Sequence, residues 1–379
     1  MTTEHILTNA RIVLPGEVVT GSLSIRDGLI TDVSANASRA GEDLGGDYLI
    51  PGLVELHTDH LEGHYMPRPK VRWNPLAAVL AHDAQISTAG ITTVLDALRV
   101  GIDEDSEMTT PDMRKLADAI EDGVRNDRLR ADHFIHLRCE VSAPDCLDSF
   151  ANFEGDDRVR LVSLMDHAPG QRQFVNMETY AYYYQRRLKL SDREFEAFCA
   201  RRIGESQNYG PKYRVAISQS CKARGIVLAS HDDATGAHVK EAVDLGIRVA
   251  EFPTTHEAAR ASREAGLGVL MGGPNVMRGG SHSGNVSARS LAEEGLLDIL
   301  SSDYIPFSLI QSAFFLGEVV DGITLPQAVA MVSKNPAEAV GLSDRGVVEP
   351  GRRADLVRVR VDEHVPVVRT VWREGRRVA

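Results

Sequence analysis

His57 and Asp59 are the first residues of this chain whose spacing suits chemistry. They sit in Leu56-His57-Thr58-Asp59-His60-Leu61-Glu62, directly after an apolar run. Side chains alternate along an extended segment, so His57 and Asp59 point one way while Thr58 and His60 point the other. An imidazole and a carboxylate on one face suit Zn²⁺ or a related divalent ion. A lone His-x-Asp fits an ordinary hydrogen-bonded histidine equally well, but the pattern recurs. Arg138-Cys139-Glu140, Asp166-His167, Ser230-His231-Asp232-Asp233, Glu251 and Ser302-Asp303-Tyr304 each close a short apolar run. Gathering so many acids and imidazoles without compensation is costly, and metal coordination accounts for the whole set at once. The expected ligands are His57, Asp59, Glu140, His167, His231 and Asp303. Asp303 and His231 form the expected catalytic pair, with Asp303 as the general base that orients a water and takes its proton.

A second group of residues suits anions. Arg68, Lys70 and Arg72 share a loop, Pro67 to Trp73, that is stiffened by two prolines. Arg172 follows the Asp166-His167 pair. The run 272–285 sets Arg278, Ser281 and His282 among glycines whose exposed N–H groups can form an anion nest. The arginine fork matches phosphoryl oxygens. No Gly-Lys-Ser/Thr opens a helix after this run, so it is not a P-loop. The expected partner is a small anionic substrate.

These groups need a scaffold that brings strand ends together. Between 53 and 340, short apolar strands alternate with helical stretches. The expected strands are Leu53–Leu56, Thr93–Ala97, His133–Arg138, Val159–Met165, Ile226–Ala229, Arg248–Glu251, Gly268–Met271 and Leu297–Leu300. Helices are expected over 76–89, 111–126, 191–208, 235–245, 256–265 and 326–333. Eight such strands imply an α/β fold, a (β/α)₈ barrel, whose catalytic groups lie just past the C-terminal strand ends. An open doubly wound sheet is the rival, but no GxGxxG follows the first strand. Residues 1–52 and 341–379 read as short strands and turns, including the Asp27-Gly28 hairpin signal. Neither piece has enough apolar area alone, so both ends are expected to join in one composite β domain around the 53–340 catalytic barrel. The tyrosine-rich stretch 170–184 reads as a lid or as a contact between copies of the chain in a homo-oligomer.

Composition narrows the partners. A formal net charge of −12 argues against nonspecific nucleic-acid binding, yet leaves room for a local arginine cluster. The four cysteines show no close pairing, and the first residues hold no long apolar core. A cytoplasmic location away from the membrane, with reduced thiols, is therefore expected.

Several of these runs also carry a resemblance. Pro51-Gly52-Leu53-Val54-Glu55-Leu56-His57 and the segment Asp344 to Val357 resemble the amidohydrolase superfamily. The runs 57–62, 67–73, 230–233, 251–255, 272–288 and 300–309 are similar to one of its families, the α-D-ribose 1-methylphosphonate 5-triphosphate diphosphatases of the carbon–phosphorus lyase pathway. The resemblance implies metal-dependent release of pyrophosphate from a ribose 5-triphosphate during phosphonate catabolism. It also implies one or two divalent ions, zinc first, and association with other proteins of that pathway. The superfamily's usual His-x-His is His57-x-Asp59 here, and its bridging lysine is absent. Glu140 or Asp166 would then have to bridge two metals. The alternative reading is a hydrolase of C–N bonds, a cyclic amidase or deaminase, on the same cradle. A catalytically dead scaffold would bind no metal at all.

Overall fold

Eight apolar runs become eight parallel strands because each is buried on both faces and is followed by a helical return. They are β1 (Leu53–Thr58), β2 (Ile91–Val100), β3 (Asp132–Glu140), β4 (Val159–Met165), β5 (Val227–His231), β6 (Val249–Glu251), β7 (Gly268–Gly272) and β8 (Ile299–Ser301). This computed structural model describes residues 4–101, 107–172, 177–281 and 284–379; His282 lies outside them. The strands pair in chain order, and β8 returns to β1 through a bridge between Thr58 and Asp303. At that seam Asp59 N donates to Asp303 O at 3.0 Å, and Asp303 N donates to His57 O at 3.1 Å. The cylinder nearly closes at the two residues expected to carry chemistry. Leu56, Leu95, Leu161, Ala229, Val249, Leu270 and Ile299 share one buried apolar cluster, with Phe134 packed against it.

Two departures of the helices from expectation bear on the site. The helix expected to stop near 208 continues over Asp192–Arg224, straight through Pro211. A proline removes one helical hydrogen bond, but this helix is firmly closed at both ends. Ser191 and Glu194 form a capping box, and Gly225 ends it in the left-handed conformation at φ +68°. In the second place, the glycine-rich run after β7 opens with a helical turn, Gly273–Arg278, carrying a proline in its first turn. The expected backbone nest is thus replaced in part by helix.

Strands from both chain ends build a separate sheet. His5–Val13, Val18–Arg26, Leu29–Ser34 and Tyr48–Pro51 are joined by Leu356–Asp362, Val365–Arg373 and Arg376–Arg377. Tyr48–Pro51 pairs antiparallel with Leu356–Asp362, which brings the two ends together. Trp372 is buried in that sheet's core with Leu7, Ile12, Leu23 and Leu49. The sheet is tied to the barrel through Asp132, at the N-terminal end of β3. Its carboxylate meets Arg345 at 2.7 Å, Arg353 at 2.8 Å and Arg373 at 3.3 Å. Burial opposes ionisation of Asp132, but the three guanidinium groups outweigh it and hold its pKa below the usual carboxylate value.

Asp132→Asn leaves three half-satisfied arginines at this joint and is expected to cost about 2–3 kcal/mol at pH 7, read from the urea midpoint. Because the folded pKa is depressed, this contribution is present above the unfolded pKa near 3.8 and is lost as pH falls further. An unchanged midpoint at pH 7 would remove Asp132 from this role.

Candidate metal and phosphate site

Glu251, the last residue of β6, is fully buried, and its two oxygens serve two histidines. His57 Nδ1 lies 2.8 Å from Oε1 and His231 Nδ1 lies 2.9 Å from Oε2. A carboxylate can only accept, so each Nδ1 carries hydrogen and each Nε2 keeps its own side for a metal. Burial disfavours charge on His57, but the Glu251 carboxylate overrides it and raises the imidazole pKa above its ordinary value. Phe252 stands edge-on to both rings, at 5.0 Å from His57 and 5.5 Å from His231.

The residues that follow three strands share one unusual conformation. Asp232, Phe252 and Asp303 have φ of +57°, +55° and +56°, a region that side chains other than glycine rarely enter. Each still donates its N–H to a neighbouring strand: to Glu251 O, Leu270 O and His57 O respectively. Pairing therefore continues while the chain turns sharply, and strain of this kind concentrates at functional sites.

Two candidate ligand sets result. Donor atoms of His57, Asp59 and Asp303 lie within 4.8 Å of one another, and so do those of His167, His231 and Asp232. Mixed imidazole and carboxylate donors fit a divalent metal. Asp59 is held by Arg138 at 2.5 Å. Burial raises the Asp59 pKa, but Arg138 and His57 outweigh it and take it down to about 2. Asp303 goes the other way: burial, and then the neighbouring Asp59 charge, push it up to about 6.

All six of these side chains line one cavity of about 290 Å³. Arg278 and Ser281 line it too, together with Arg99, Arg138 and Arg187. Tyr183 and Tyr184 form part of its wall. Tyr184 also stacks on Tyr180 at 4.4 Å, which anchors the tyrosine-rich segment.

Other expected residues take different tasks. Glu140 accepts from His167 Nδ1 at 2.6 Å and from His167 N at 3.1 Å, with Ser142 and Arg202 also against it. It orients His167, which lines the cavity, and does not line it itself. Asp166 is occupied by Arg214 at 2.9 Å and Ser206 at 2.8 Å, so neither proposed bridging acid lines the cavity. Arg172 is buried against Asp233 and Glu241 and reaches His231 O, bracing the backbone beside the site. Arg68, Lys70 and Arg72 are exposed and do not line the cavity. Their loop leans over the segment after β2, where Lys70 N donates to Glu107 and Arg72 pairs with Asp112 at 2.9 Å.

Sequence reasoning placed Arg138, Asp232 and Glu251 at the mouth without giving them a ligand or phosphate role, and it missed Arg99 and Arg187. A signal existed for the first of these two. Arg99 and Arg138 are charges near the ends of otherwise apolar strands, and they sit in register with each other. Arg187 has no such signature, because a tertiary fold of the 177–188 stretch brings it to the cavity.

Comparison with known proteins identifies the family of the chain. Residues 218–379 match the model of the Amidohydrolase family. The α-D-ribose 1-methylphosphonate 5-triphosphate diphosphatase of Escherichia coli K12 is 48% identical over 377 residues, covering 98% of this chain and all of that protein. An imidazolonepropionase of Deinococcus deserti is 23% identical, covering 94% of this chain and 92% of its own. Among solved structures, the N-acetyl-D-glucosamine-6-phosphate deacetylase of Mycobacterium smegmatis superposes with a TM-score of 0.63 at 18% identity, covering 99% of both chains. That likeness concerns the fold.

Glu251→Gln tests the two-histidine carboxylate. An amide has one acceptor oxygen, so one histidine must turn its other tautomer toward the cavity and present N–H where a lone pair is needed. Metal affinity is expected to fall about 10–100-fold with the far-UV dichroism unchanged. Affinity equal to the parent would reject this assignment.

Proposed function

The chain belongs to the amidohydrolase family, and from that membership we propose that its cavity hydrolyses α-D-ribose 1-methylphosphonate 5-triphosphate to the 5-phosphate and pyrophosphate. It is a hydrolase of phosphonate catabolism, related over its whole length to a triphosphate diphosphatase. The observation that carries the substrate class is the cavity wall: Arg99, Arg138, Arg187 and Arg278 surround two sets of metal ligands. A polyanion meets compensating charge there, whereas a neutral ring, the substrate class of the C–N alternative, draws nothing from it.

His57, Asp59 and Asp303 would hold one divalent ion, and His167, His231 and Asp232 a second, with zinc the metal best suited to this donor set. When bound, such ions supply Lewis acidity toward phosphoryl oxygens and lower the pKa of a coordinated water. The chain's own residues do the rest. Asp303 Oδ takes the proton of the attacking water, a task eased by its raised pKa. Arg138 keeps Asp59 ionised. The arginines fix the phosphate chain and offset charge that builds on the departing pyrophosphate. Among the described residues no helix is long and apolar enough to cross a membrane. We place the enzyme in the cytoplasm, beside other proteins of the phosphonate pathway.

Asp303→Asn keeps the side chain's shape but removes the base, so turnover is expected to fall by roughly 10²–10⁴ while substrate still binds. Near-parental turnover with metal retained would exclude Asp303 as base. For the cut itself, phosphorus NMR of a single turnover in oxygen-18 water should show pyrophosphate as the only inorganic product, with the label marking the phosphorus attacked. Orthophosphate appearing first, with a ribose diphosphate, would overturn the reading. Arg278→Ala should weaken capture of the triphosphate more than that of a monophosphate, measured by competition.

A further inference from the structure

The two helices that follow β1 build a second cluster. His60 begins the short helix His60–Tyr65, and His64 lies one turn later on the same face. His82 reaches them from the helix Pro75–Thr88. One ring nitrogen from each of the three lies within 4.8 Å of the others. His60 Nδ1 and His82 Nδ1 are 3.3 Å apart, and the His60 and His64 ring centroids are 4.8 Å apart. None of the three lines the catalytic cavity.

We propose that His60, His64 and His82 form a metal site separate from the catalytic one, which binds a divalent transition metal, zinc above all, through three imidazoles.

Two independent features point to a ligand here. The first is the support behind His82. Its Nε2 lies 2.8 Å from Asp96 Oδ1, and the other Asp96 oxygen is met by His133 Nδ1 at 2.7 Å. Both His82 and Asp96 are fully buried. The carboxylate takes the Nε2 hydrogen and leaves the Nδ1 lone pair toward His60, the carboxylate–histidine arrangement that steadies metal-bound imidazoles. The second feature is His64 Nε2, which is buried without a hydrogen-bond partner, although the Gln85 side chain interacts with that ring. An orphaned buried nitrogen is costly, and it belongs to a residue already within reach of two other imidazoles.

Three nitrogen donors with a remaining open position suit Zn²⁺, and also Co²⁺, Ni²⁺ or Cu²⁺. The ion would pin the helix that directly follows Asp59 to the helix over 75–88. It would thereby stiffen the segment leaving the catalytic ligands without touching substrate.

The test uses the full chain. Crystals soaked in zinc chloride and measured across the zinc edge should show an anomalous peak about 2 Å from the three nitrogens, in addition to density at the mouth. In solution, His64→Gln should hold one zinc fewer per chain after dialysis and lose the zinc-dependent rise in Tm contributed by this site. Turnover should stay near that of the parent, since His64 touches no reacting atom. A His57→Ala protein should lose metal at the mouth yet keep the zinc bound by the three histidines. Full zinc content in His64→Gln would overturn the proposal. So would an empty histidine cluster in crystals whose mouth is filled.

Discussion

One fully buried carboxylate, on Glu251, fixes the two histidines at the centre of the barrel mouth. It lies between His57 and His231, one from the first strand and one from the fifth, and accepts from both. Burying an ion is expensive unless it is paired and hydrogen-bonded, and here both oxygens are used. That constraint propagates outward. It sets the two histidine tautomers, keeps their rings 5.9 Å apart and nearly parallel at 18°, and lets Phe252 close over both. The same device recurs nearby, where Glu140 supports His167 and Asp96 supports His82.

The barrel seam depends on a related arrangement. Glu55 is buried, and its carboxyl group accepts from His57 N at 2.7 Å and from Ser302 N at 2.6 Å. It joins the first strand to the segment after the last one, next to the Thr58–Asp303 bridge. Burial pushes its pKa up to about 7, so this clasp retains proton affinity near neutrality. Strand closure and ligand placement are therefore one event: the backbone that completes the cylinder also sets Asp59 opposite Asp303. Arg138 favours the Asp59 anion, and that charge adds to burial in raising Asp303, so the two carboxyl groups differ in acidity.

The chain is acidic overall, with a formal net charge of −12, but the mouth gathers arginine. Buried arginines behind the mouth, Arg172, Arg202 and Arg214, neutralise acids that would otherwise repel an anionic substrate. Arg99, Arg138, Arg187 and Arg278 line the cavity itself. Net charge and local charge have thus been separated by burial.

Much of this was legible in the sequence. Apolar runs of strand length alternating with helical stretches specify a parallel barrel, because only buried strands tolerate such continuous hydrophobicity. Period-2 alternation places His57 and Asp59 together and sends His60 elsewhere, as the structure has it. Titratable residues at successive strand ends marked the mouth, since a barrel brings those ends together. What tertiary structure alone decided was the partner of each charge. Arg172 and Arg72 looked like phosphate ligands, but each lies beside an acid distant in sequence, Asp233 and Asp112. Glu140 looked like a metal ligand until the position of His167 made it a support. Arg187 reaches the cavity only through the fold of its own segment. Charge type and spacing are local properties of the chain, whereas pairing is a distance in space, and that distance is set by how strands, loops and the long helix pack.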